Sequence, residues 1–190
     1  MDDFQSIIVS PGKPVVVKNN PTPYPLIGRG LQGAVFRLSR KRCVKIYSKT
    51  KYYLRERDVL IKAGQESTIF PDVYEVGPKY IVMEYLTGPS LEEYLENTDS
   101  ISDSLTKEII FLIKELTRIN FLRIDFALRH TIFDQNGNLK IIDHVNSLKI
   151  KRRYPKRLLK DLESMGLRDT FLAKVKRLAP ELYQKWKSYL

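Results

Sequence analysis

The first third of the chain alternates apolar and polar residues in the manner of β-strands. Five prolines interrupt residues 10–25 around a short apolar run, which favours an extended arm or an edge strand over a helix. Strand-like runs then occupy residues 35–38, 43–47, 73–76 and 80–83. The first two of these runs flank a short basic turn and predict a hairpin.

Later segments carry apolar residues at the spacing of amphipathic helices. Residues 52–63 follow this period, and Gly64 is predicted to end the helix as its C′ residue. Ser90 and Glu93 have the spacing of a capping box, which predicts that a short helix begins there. The strongest amphipathic pattern covers residues 105–116.

A last hairpin is predicted between the long helix and a helical tail. Residues 131–133 and 139–142 are strand-like, and they flank the dipeptide Asn136-Gly137, a strong turn signal. Apolar residues at helical spacing return between 158 and 178. Because strands come first and helices later, the order predicts an α+β fold.

Length and composition indicate one globular domain. The 190 residues are 43% apolar, which is sufficient for a hydrophobic core. No apolar run approaches the roughly 20 residues that cross a bilayer, and no signal-peptide core follows the acidic N-terminus, so we expect a cytoplasmic protein without a membrane span. Cys43 is the only cysteine, which excludes an intrachain disulfide and a cysteine-rich zinc site.

Positive charge is concentrated at the C-terminal end of the chain. The formal net charge is +11, and residues 149–190 contribute +9 of it. Such asymmetry is typical of a chain that meets an anionic partner, whether nucleic acid, an acidic protein or a lipid surface. A solubilising face explains the same charge equally well.

Three glycines stand among the predicted strands at the spacing GxGxxG. In a dinucleotide-binding fold a helix begins at the third glycine, whereas β-forming residues follow Gly33. A glycine-rich turn between two strands can instead lie over nucleotide phosphates, because no Cβ keeps its backbone N–H groups away. Taken alone, the pattern is explained better by a plain glycine-rich hairpin.

A lysine and a glutamate occupy otherwise apolar positions nearby. Lys45 lies inside an apolar strand, where an unpaired ammonium group is costly. Glu56 shares one helical stripe with apolar residues 52, 59, 60 and 63. Because each buried charge needs a partner, we predict that the two form an ion pair that holds the lysine against phosphate oxygens. The alternative is a solvated glutamate on the helix surface.

Together these residues resemble the N-lobe of a protein kinase. The likeness is carried by the glycine-rich run, by Lys45 in its apolar strand and by Glu56 on the next helix. It implies that ATP binds here, with Lys45 at the α- and β-phosphates. The residues expected to bind ATP at this turn are Ile27, Gly28, Arg29, Gly30, Leu31, Gln32, Gly33, Ala34 and Val35, of which residues 28–35 would cover the phosphates.

The run at residues 80–86, followed by the capped helix, resembles a kinase hinge. The resemblance implies that backbone groups of Glu84 and Leu86 pair with the adenine ring. Met83 would then occupy the gatekeeper position beside that ring.

Two aspartates extend the resemblance into the second half of the chain. Asp125 follows the long helix, and Asp143 ends the strand after the predicted hairpin turn, 18 residues later. A kinase uses one carboxylate near the acceptor hydroxyl and another that holds Mg²⁺ across the β- and γ-phosphates. The resemblance therefore implies that Asp125 is the catalytic base and that Asp143 binds the metal, with His130 beside it.

Several residues depart from the kinase pattern. Ile124 replaces the arginine before the catalytic aspartate, and Ala127 stands where protein kinases commonly place a lysine. His130 replaces an asparagine, and an imidazole suits Mn²⁺ better than the harder Mg²⁺. His144 and Val145 replace the phenylalanine and glycine after the metal-binding aspartate. The 47 residues after Asp143 are too few for the peptide-docking subdomains of a eukaryotic-type kinase.

The resemblance covers about two thirds of the chain, from residue 26 to residue 147. The group it resembles is that of the compact bacterial serine/threonine kinases of the YrzF type, which are related to small atypical kinases. It implies a single protein-kinase-like domain over residues 1–190. The expected parts are an N-terminal arm at 1–25, a β-rich N-lobe with one helix at 26–83, and a short, mostly helical C-lobe at 84–190.

The activity implied is transfer of the ATP γ-phosphoryl group to a hydroxyl, on a serine or threonine of a protein substrate. The implied cofactors are ATP and Mg²⁺ or Mn²⁺. Two alternatives stay open. A pseudokinase would bind ATP as a switch and dock an anionic partner through the basic tail at 149–190. A nucleic-acid-binding module without use for ATP depends on the tail charge alone.

Overall fold

The computed structural model describes residues 3–143 and 152–190, which fall into two compact units. The first unit comprises residues 3–86, and the second comprises residues 87–143 and 152–190. Strands dominate the first unit and helices the second. The predicted α+β class is therefore confirmed.

All described strands pair in antiparallel fashion. The strands are β1 (Ile8–Ser10), β2 (Val16–Asn19), β3 (Leu26–Arg29), β4 (Gly33–Arg37), β5 (Arg42–Tyr47), β6 (Val73–Gly77), β7 (Tyr80–Glu84), β8 (Thr131–Phe133) and β9 (Leu139–Ile141). The helices are α1 (Thr50–Gly64), α2 (Leu91–Thr98), α3 (Asp103–Arg118), α4 (Lys156–Ser164), α5 (Arg168–Leu178) and α6 (Pro180–Trp186). Short 3-10 helices cover Asp3–Ser6, Leu128–His130 and Lys187–Tyr189.

A five-stranded sheet with the order β3-β4-β5-β7-β6 forms the frame of the first unit, and α1 connects β5 to β6. Lys45 lies opposite Val35 on one neighbouring strand and opposite Ile81 on the other. Because side chains alternate along a strand, these three residues share one face of the sheet. Phe36 and Val44, one position along, belong to the opposite face and are fully buried.

The N-terminal segment covers that opposite face. β1 and β2 pair with each other, and the 3-10 helix before them adds Phe4. Phe4 and Val15 are buried in one core with Phe36 and Val44. The ring of Phe4 meets that of Tyr80 edge-to-face, with centroids 5.0 Å apart. The predicted extended arm is thus a hairpin that closes the hydrophobic core of the first unit.

α1 is longer than its apolar period predicts, because Gly64 lies inside it. Gln65 continues with right-handed backbone angles, and the N–H of Glu66 donates to the carbonyl of Ala63. A C′ glycine is valuable only where the chain leaves the helix with a positive φ. The chain leaves α1 through a right-handed turn instead, so the prediction that Gly64 ends the helix was wrong.

α3 is the central helix of the second unit. Its N-terminus is capped by Ser102, and its apolar stripe is buried, with Ile109 and Ile113 inaccessible to solvent. α5 packs along it, and Lys174 donates to Asp103 at 2.6 Å. Hydrogen bonds from Lys174 and then from Arg177 lower the pKa of Asp103 to about 2. Two of the cations in the basic tail therefore already have a partner within this chain.

The tail is helical where it is described, as its apolar period predicts. Its first residues, including Lys149 and Lys151, lie outside the described residues, as do His144 and Val145. Among the described residues, no helix combines the length and apolar character needed to cross a bilayer.

We predict that replacing Phe4 destabilises the first unit. Phe4 is 1% exposed, whereas Ile8 in the same segment is 53% exposed. Phe4→Ala should lower the free energy of unfolding by about 3–5 kcal/mol, since it removes an aromatic ring from a packed core. Ile8→Ala, the matched control, should change it by no more than about 0.5 kcal/mol. Urea unfolding measures both, and equal effects would show that the hairpin does not belong to the core.

Candidate functional site

Hydrogen bonds fix the glycine-rich turn between β3 and β4 on both sides. The N–H of Gly30 donates to the carbonyl of Gly33 at 3.0 Å and closes the turn. The N–H of Val15 donates to the carbonyl of Gly30 at 2.8 Å. On the other side, the N–H and hydroxyl of Ser48 donate to the carbonyl of Gln32 at 2.9 and 3.0 Å. The turn is therefore tied to the N-terminal segment and to the end of β5.

The three glycines of the turn are present for different physical reasons. A Cβ at Gly33 would lie 2.5 Å from the carbonyl oxygen of Ile46, so the close approach of β4 to β5 requires glycine there. A Cβ at Gly28 or Gly30 would meet no atom within 4 Å. Neither of these two residues has a positive φ. The chain itself does not need glycine at positions 28 and 30, and their missing side chains leave space that a ligand can enter.

The remaining residues predicted to bind ATP at this turn separate between the two faces of the sheet. Ala34 is buried in the core beneath the N-terminal hairpin, so its side chain is turned away from the face of Lys45. Val35 lies opposite Lys45 and belongs to the same face. Ile27, Arg29 and Leu31 are exposed. Of this group, the backbone of the turn and the side chain of Val35 are available to a ligand near Lys45.

The predicted ion pair between Lys45 and Glu56 is present. Lys45 Nζ donates to both carboxylate oxygens of Glu56, at 2.9 and 2.7 Å. The two side chains are 14% and 3% exposed. α1 turns Glu56 inward because its apolar stripe, which includes Val59 and Leu60, packs in the same direction. A cation is thus held in a fixed position on the sheet face that also carries Val35.

The surroundings of this pair are largely buried. Cys43 is the next residue on the same face of β5, and it is buried opposite Met83. Burial raises the pKa of the Cys43 thiol to about 12, against the opposing effect of Lys45. Because charges attract more strongly where water is excluded, the Lys45 ammonium is well placed to bind an anion that enters here.

The predicted hinge residues end the first unit. Met83 is buried within β7, and the Glu84 N–H donates to the carbonyl of Asp72 at 2.8 Å. The next N–H, of Tyr85, donates to the carbonyl of Lys41. Leu86 is the last residue of the unit. The N–H of Glu84 is therefore used within the sheet, and adenine recognition by Glu84 and Leu86 stays a prediction.

In the second unit, the β8–β9 hairpin fixes the position of His130. The Asp134 carboxylate shapes the hairpin loop by accepting the N–H groups of Asn136 and Asn138, both at 2.8 Å. Although burial of Asp134 opposes ionisation, the hydrogen bonds from Asn138 and Asn136 lower its pKa overall. Past the paired strands, the N–H of Ile142 donates to the carbonyl of His130 at 2.8 Å. The hairpin predicted around Asn136-Gly137 thus brings residue 130 beside the end of β9.

His130 and Asp143 face each other at this end of the hairpin. His130 Nδ1 lies 3.9 Å from Asp143 Oδ2, and both side chains are about one third exposed. Asp143 has a φ of 63°, a left-handed conformation that non-glycine residues adopt at a cost of about 1–2 kcal/mol. Arg129 Nε donates to His130 Nε2 at 3.2 Å, which leaves the proton of a neutral imidazole on Nδ1.

This pair fits a divalent cation only in a shared site. Among the described residues, no three His, Cys, Asp or Glu side chains cluster as the ligands of one metal. Mg²⁺ is commonly held by one or two protein ligands together with substrate phosphates and water. Asp143 matches that kind of site. His130 could join it only if the Nδ1 proton moved or the ring turned, because Nε2 accepts a hydrogen bond from Arg129. The remaining ligands would come from a bound phosphate.

Asp125 has a structural partner that its sequence position does not reveal. Its side chain is 4% exposed, and Oδ1 accepts the N–H of Arg157 at 2.6 Å. The N–H of Leu158 is a second donor to the same carboxylate. α4 starts after Pro155 and has no side-chain cap of its own. Asp125 therefore caps the N-terminus of α4 from a distant part of the chain.

Burial has the largest effect on the pKa of Asp125. Desolvation raises its pKa above the ordinary value, although the Arg157 N–H and the nearby Arg123 guanidinium favour the charged form. Arg123 Nη2 lies 3.6 Å from Asp125 Oδ2. A carboxylate with a raised pKa is a stronger base than an exposed aspartate, which suits proton abstraction. The same burial limits its access to an acceptor hydroxyl.

A second buried aspartate, Asp161, makes the reciprocal hydrogen bond from α4 to the segment that follows Asp125. Asp161 on α4 accepts the N–H of Leu128 at 3.2 Å, and Arg157 Nε lies 2.8 Å from its other oxygen. Each of the two segments thus supplies a carboxylate to the backbone of the other. Sequence reasoning did not assign this role to Asp161. The signal available was a charged residue on the apolar stripe of α4, together with the missing cap at Pro155.

Comparison with known proteins gives a limited result. No family model matches the chain. The chain is similar to the "Putative serine/threonine-protein kinase YrzF" of Bacillus subtilis (strain 168), with 28% identity over 133 residues. The match covers 67% of this chain and 61% of that protein. The similarity therefore points to a kinase-like protein and spans about three fifths of the relative's length.

We predict that Asp125 supports folding through its acceptor oxygens. Asp125→Ala leaves two buried N–H groups without a partner and should lower the free energy of unfolding by about 1–3 kcal/mol. Asp125→Asn keeps an acceptor oxygen and should cost less. Urea unfolding near neutral pH measures both variants. An equal loss in the two variants would contradict the capping role.

The pH dependence provides an independent check on the same residue. Because the pKa of Asp125 is raised in the folded state, protonation of this carboxyl stabilises the fold, and that part of its contribution is lost as pH rises through the folded pKa. The stability of the wild type relative to Asp125→Asn should therefore fall as pH is raised from about 4, the ordinary pKa of an aspartate. A difference that stays constant as pH is raised would mean that the Asp125 pKa is not raised.

Proposed function

We propose that this chain is a kinase-like phosphotransferase that binds ATP. The observation that carries the proposal is the buried ion pair of Lys45 and Glu56. It lies on the sheet face of a glycine-rich turn in which Gly28 and Gly30 have no packing reason to be glycine. A lysine on the third strand of the sheet, paired with a glutamate on the next helix, is the arrangement by which protein kinases hold ATP phosphates.

The roles of the first unit follow from this chemistry. Lys45 would donate hydrogen bonds to the α- and β-phosphates, while Glu56 keeps the ammonium in place. The turn from Gly28 to Gly33 would approach the phosphates with its backbone, since two positions carry no Cβ. The pair is largely buried, which strengthens its attraction for an anion. The adenine ring would meet the backbone of Glu84 and Leu86, with Met83 beside it.

The second unit would supply the remaining groups. Asp143, with His130 beside it, would hold Mg²⁺ or Mn²⁺, a cation that neutralises charge on the β- and γ-phosphates. Asp125 would orient the acceptor hydroxyl and take its proton. The acceptor would be a serine or threonine of a protein, by analogy with the name of the similar Bacillus subtilis protein.

A second candidate is an ATP-binding switch without transfer activity, which is the pseudokinase alternative. The observation that favours it is the engagement of Asp125, whose carboxylate is 4% exposed and bonded to the α4 backbone. The arginine that precedes the base in protein kinases is Ile124 here, and Ala127 offers no cation to the γ-phosphate. A switch of this kind would dock its anionic partner through the basic tail.

ATP binding is expected to respond differently to alanine at the three glycines. Gly28→Ala and Gly30→Ala meet no protein atom, so folding stability should stay equal or rise by up to about 1 kcal/mol. Their ATP affinity should fall about tenfold or more, because the new methyl groups occupy the space proposed for phosphate. Titration with a fluorescent ATP analogue measures the affinity. Gly33→Ala, which clashes with β5, is the control for a change that acts through folding. Unchanged affinity in both Gly28→Ala and Gly30→Ala would refute the phosphate site.

Transfer activity separates the enzyme from the switch. With radiolabelled ATP and Mg²⁺ or Mn²⁺, the enzyme should label itself or a general protein acceptor. Asp125→Asn should reduce this label at least 100-fold while ATP still binds, since it removes the base but keeps a cap for α4. If ATP raises the melting temperature and no label transfers with either cation, the switch is the better description.

A further inference from the structure

A cavity of about 550 Å³ that opens to solvent lies in the second unit, and its walls are residues that the proposed ATP site does not use. Its wall runs from the C-terminal end of α3 through the following loop to Ile124, and α6 closes it from the other side. The volume falls within the roughly 300–1,000 Å³ of sites that hold small organic ligands. The cavity can therefore be considered as a binding site in its own right.

The floor of this cavity is apolar. Trp186 is 1% exposed, and Leu182 and Ile124 are also buried. Phe121 and Leu122 continue the apolar wall, and Leu122 is 44% exposed at its edge. An apolar wall of this kind gains free energy when it covers a hydrocarbon surface instead of water.

The rim of the cavity is positively charged. Arg152, Arg153 and Lys185 line it, and all three are exposed. None of the described residues that line the cavity carries a carboxylate. Within the described part of the chain, none of the three cations lies within ion-pair distance of an acidic side chain, although Arg152 favours the charged form of Asp125 and Lys185 that of Glu181 at longer range. Other tail cations differ, since Lys174 and Arg177 are paired with Asp103.

We propose that this cavity binds a free, single-chain amphiphile with an anionic head group, of the fatty-acid type. The hydrocarbon part would lie against Trp186 and Leu182, and the carboxylate would be held at the rim. Arginine offers paired N–H donors that match a carboxylate, and two of the three rim cations are arginines. An inorganic anion alone would leave the apolar floor uncovered, and an uncharged hydrocarbon would not use the rim.

Backbone hydrogen bonds join the cavity wall to the segment that carries Arg152. The N–H of Ile124 donates to the carbonyl of Arg152 at 3.1 Å, and the N–H of Arg152 donates to the carbonyl of Leu122 at 2.7 Å. Arg152 is thus anchored to the wall through its own backbone. This proposal requires no nucleotide, so it stands or falls independently of ATP binding.

The test uses the full chain and three ten-carbon probes below their micelle concentrations. Decanoate should bind saturably with one site per chain by isothermal titration calorimetry. Decanol, which lacks the charge, and decyltrimethylammonium, which reverses it, should bind at least tenfold more weakly. The double variant Arg152→Gln, Lys185→Gln should weaken decanoate binding at least tenfold. Lys160→Gln, an exposed cation on α4 outside the cavity, is the matched control and should leave the affinity unchanged.

A variant of the wall tests the location. Leu122→Trp fills the edge of the cavity and should abolish decanoate binding, while circular dichroism and urea unfolding verify that the protein is folded. Equal binding of decanol and decanoate would overturn the proposal, and so would an equal loss in Lys160→Gln.

Vesicles that contain anionic lipid distinguish the other source of such head groups. Binding to vesicles that free decanoate does not inhibit would assign the rim to a membrane surface and refute the cavity site.

Discussion

The buried ammonium of Lys45 and the buried carboxylate of Glu56 are tolerated in the first unit because each neutralises the other. Removing one partner of such a pair typically costs about 3–5 kcal/mol, since it leaves an uncompensated charge away from water. The sheet and α1 must therefore pack so that the two groups meet at 2.7 Å. The position of this cation decides how its surroundings are interpreted. The glycine-rich turn, the buried thiol of Cys43 and the open space at Gly28 matter for ligand binding because they surround it.

The second unit depends on a reciprocal exchange of hydrogen bonds between two carboxylates and the backbone. Asp125 accepts backbone N–H groups at the start of α4, and Asp161 on α4 accepts the N–H of Leu128. The exchange fixes the segment that carries the proposed base, but it also occupies that base. A carboxylate can be rigidly held or freely available, and the observed geometry favours the first. Whether this residue performs chemistry is the point at which the enzyme and the switch differ.

Much of the architecture could be predicted from the sequence because it depends on local signals. Apolar period identified α3, and the Asn136-Gly137 turn identified the hairpin that carries His130. The pairing of Lys45 with Glu56 could be inferred because two charges at apolar positions need each other. The end of α1 was misjudged, because Gly64 permits a left-handed exit that the chain does not use.

The contacts of the candidate base could not be predicted in the same way. The cap that Asp125 provides joins residues 32 positions apart, and no periodic pattern in the sequence indicates it. Nor does composition reveal that Asp103 neutralises part of the tail, since charge counts ignore which side chains meet. Similarity to known proteins did not supply these contacts either, because it concerns aligned positions and not the bonds between them.

The N-terminal hairpin has a practical consequence for anyone who expresses this protein. A shortened version that starts at the glycine-rich turn would retain every residue proposed to touch ATP. It would also uncover Phe36, Val44 and Val82, which Phe4 and Val15 now shield. Such a surface on an open sheet invites self-association. Shortened versions that aggregate or lose activity would therefore report on the missing cover, not on the chemistry of the remaining residues.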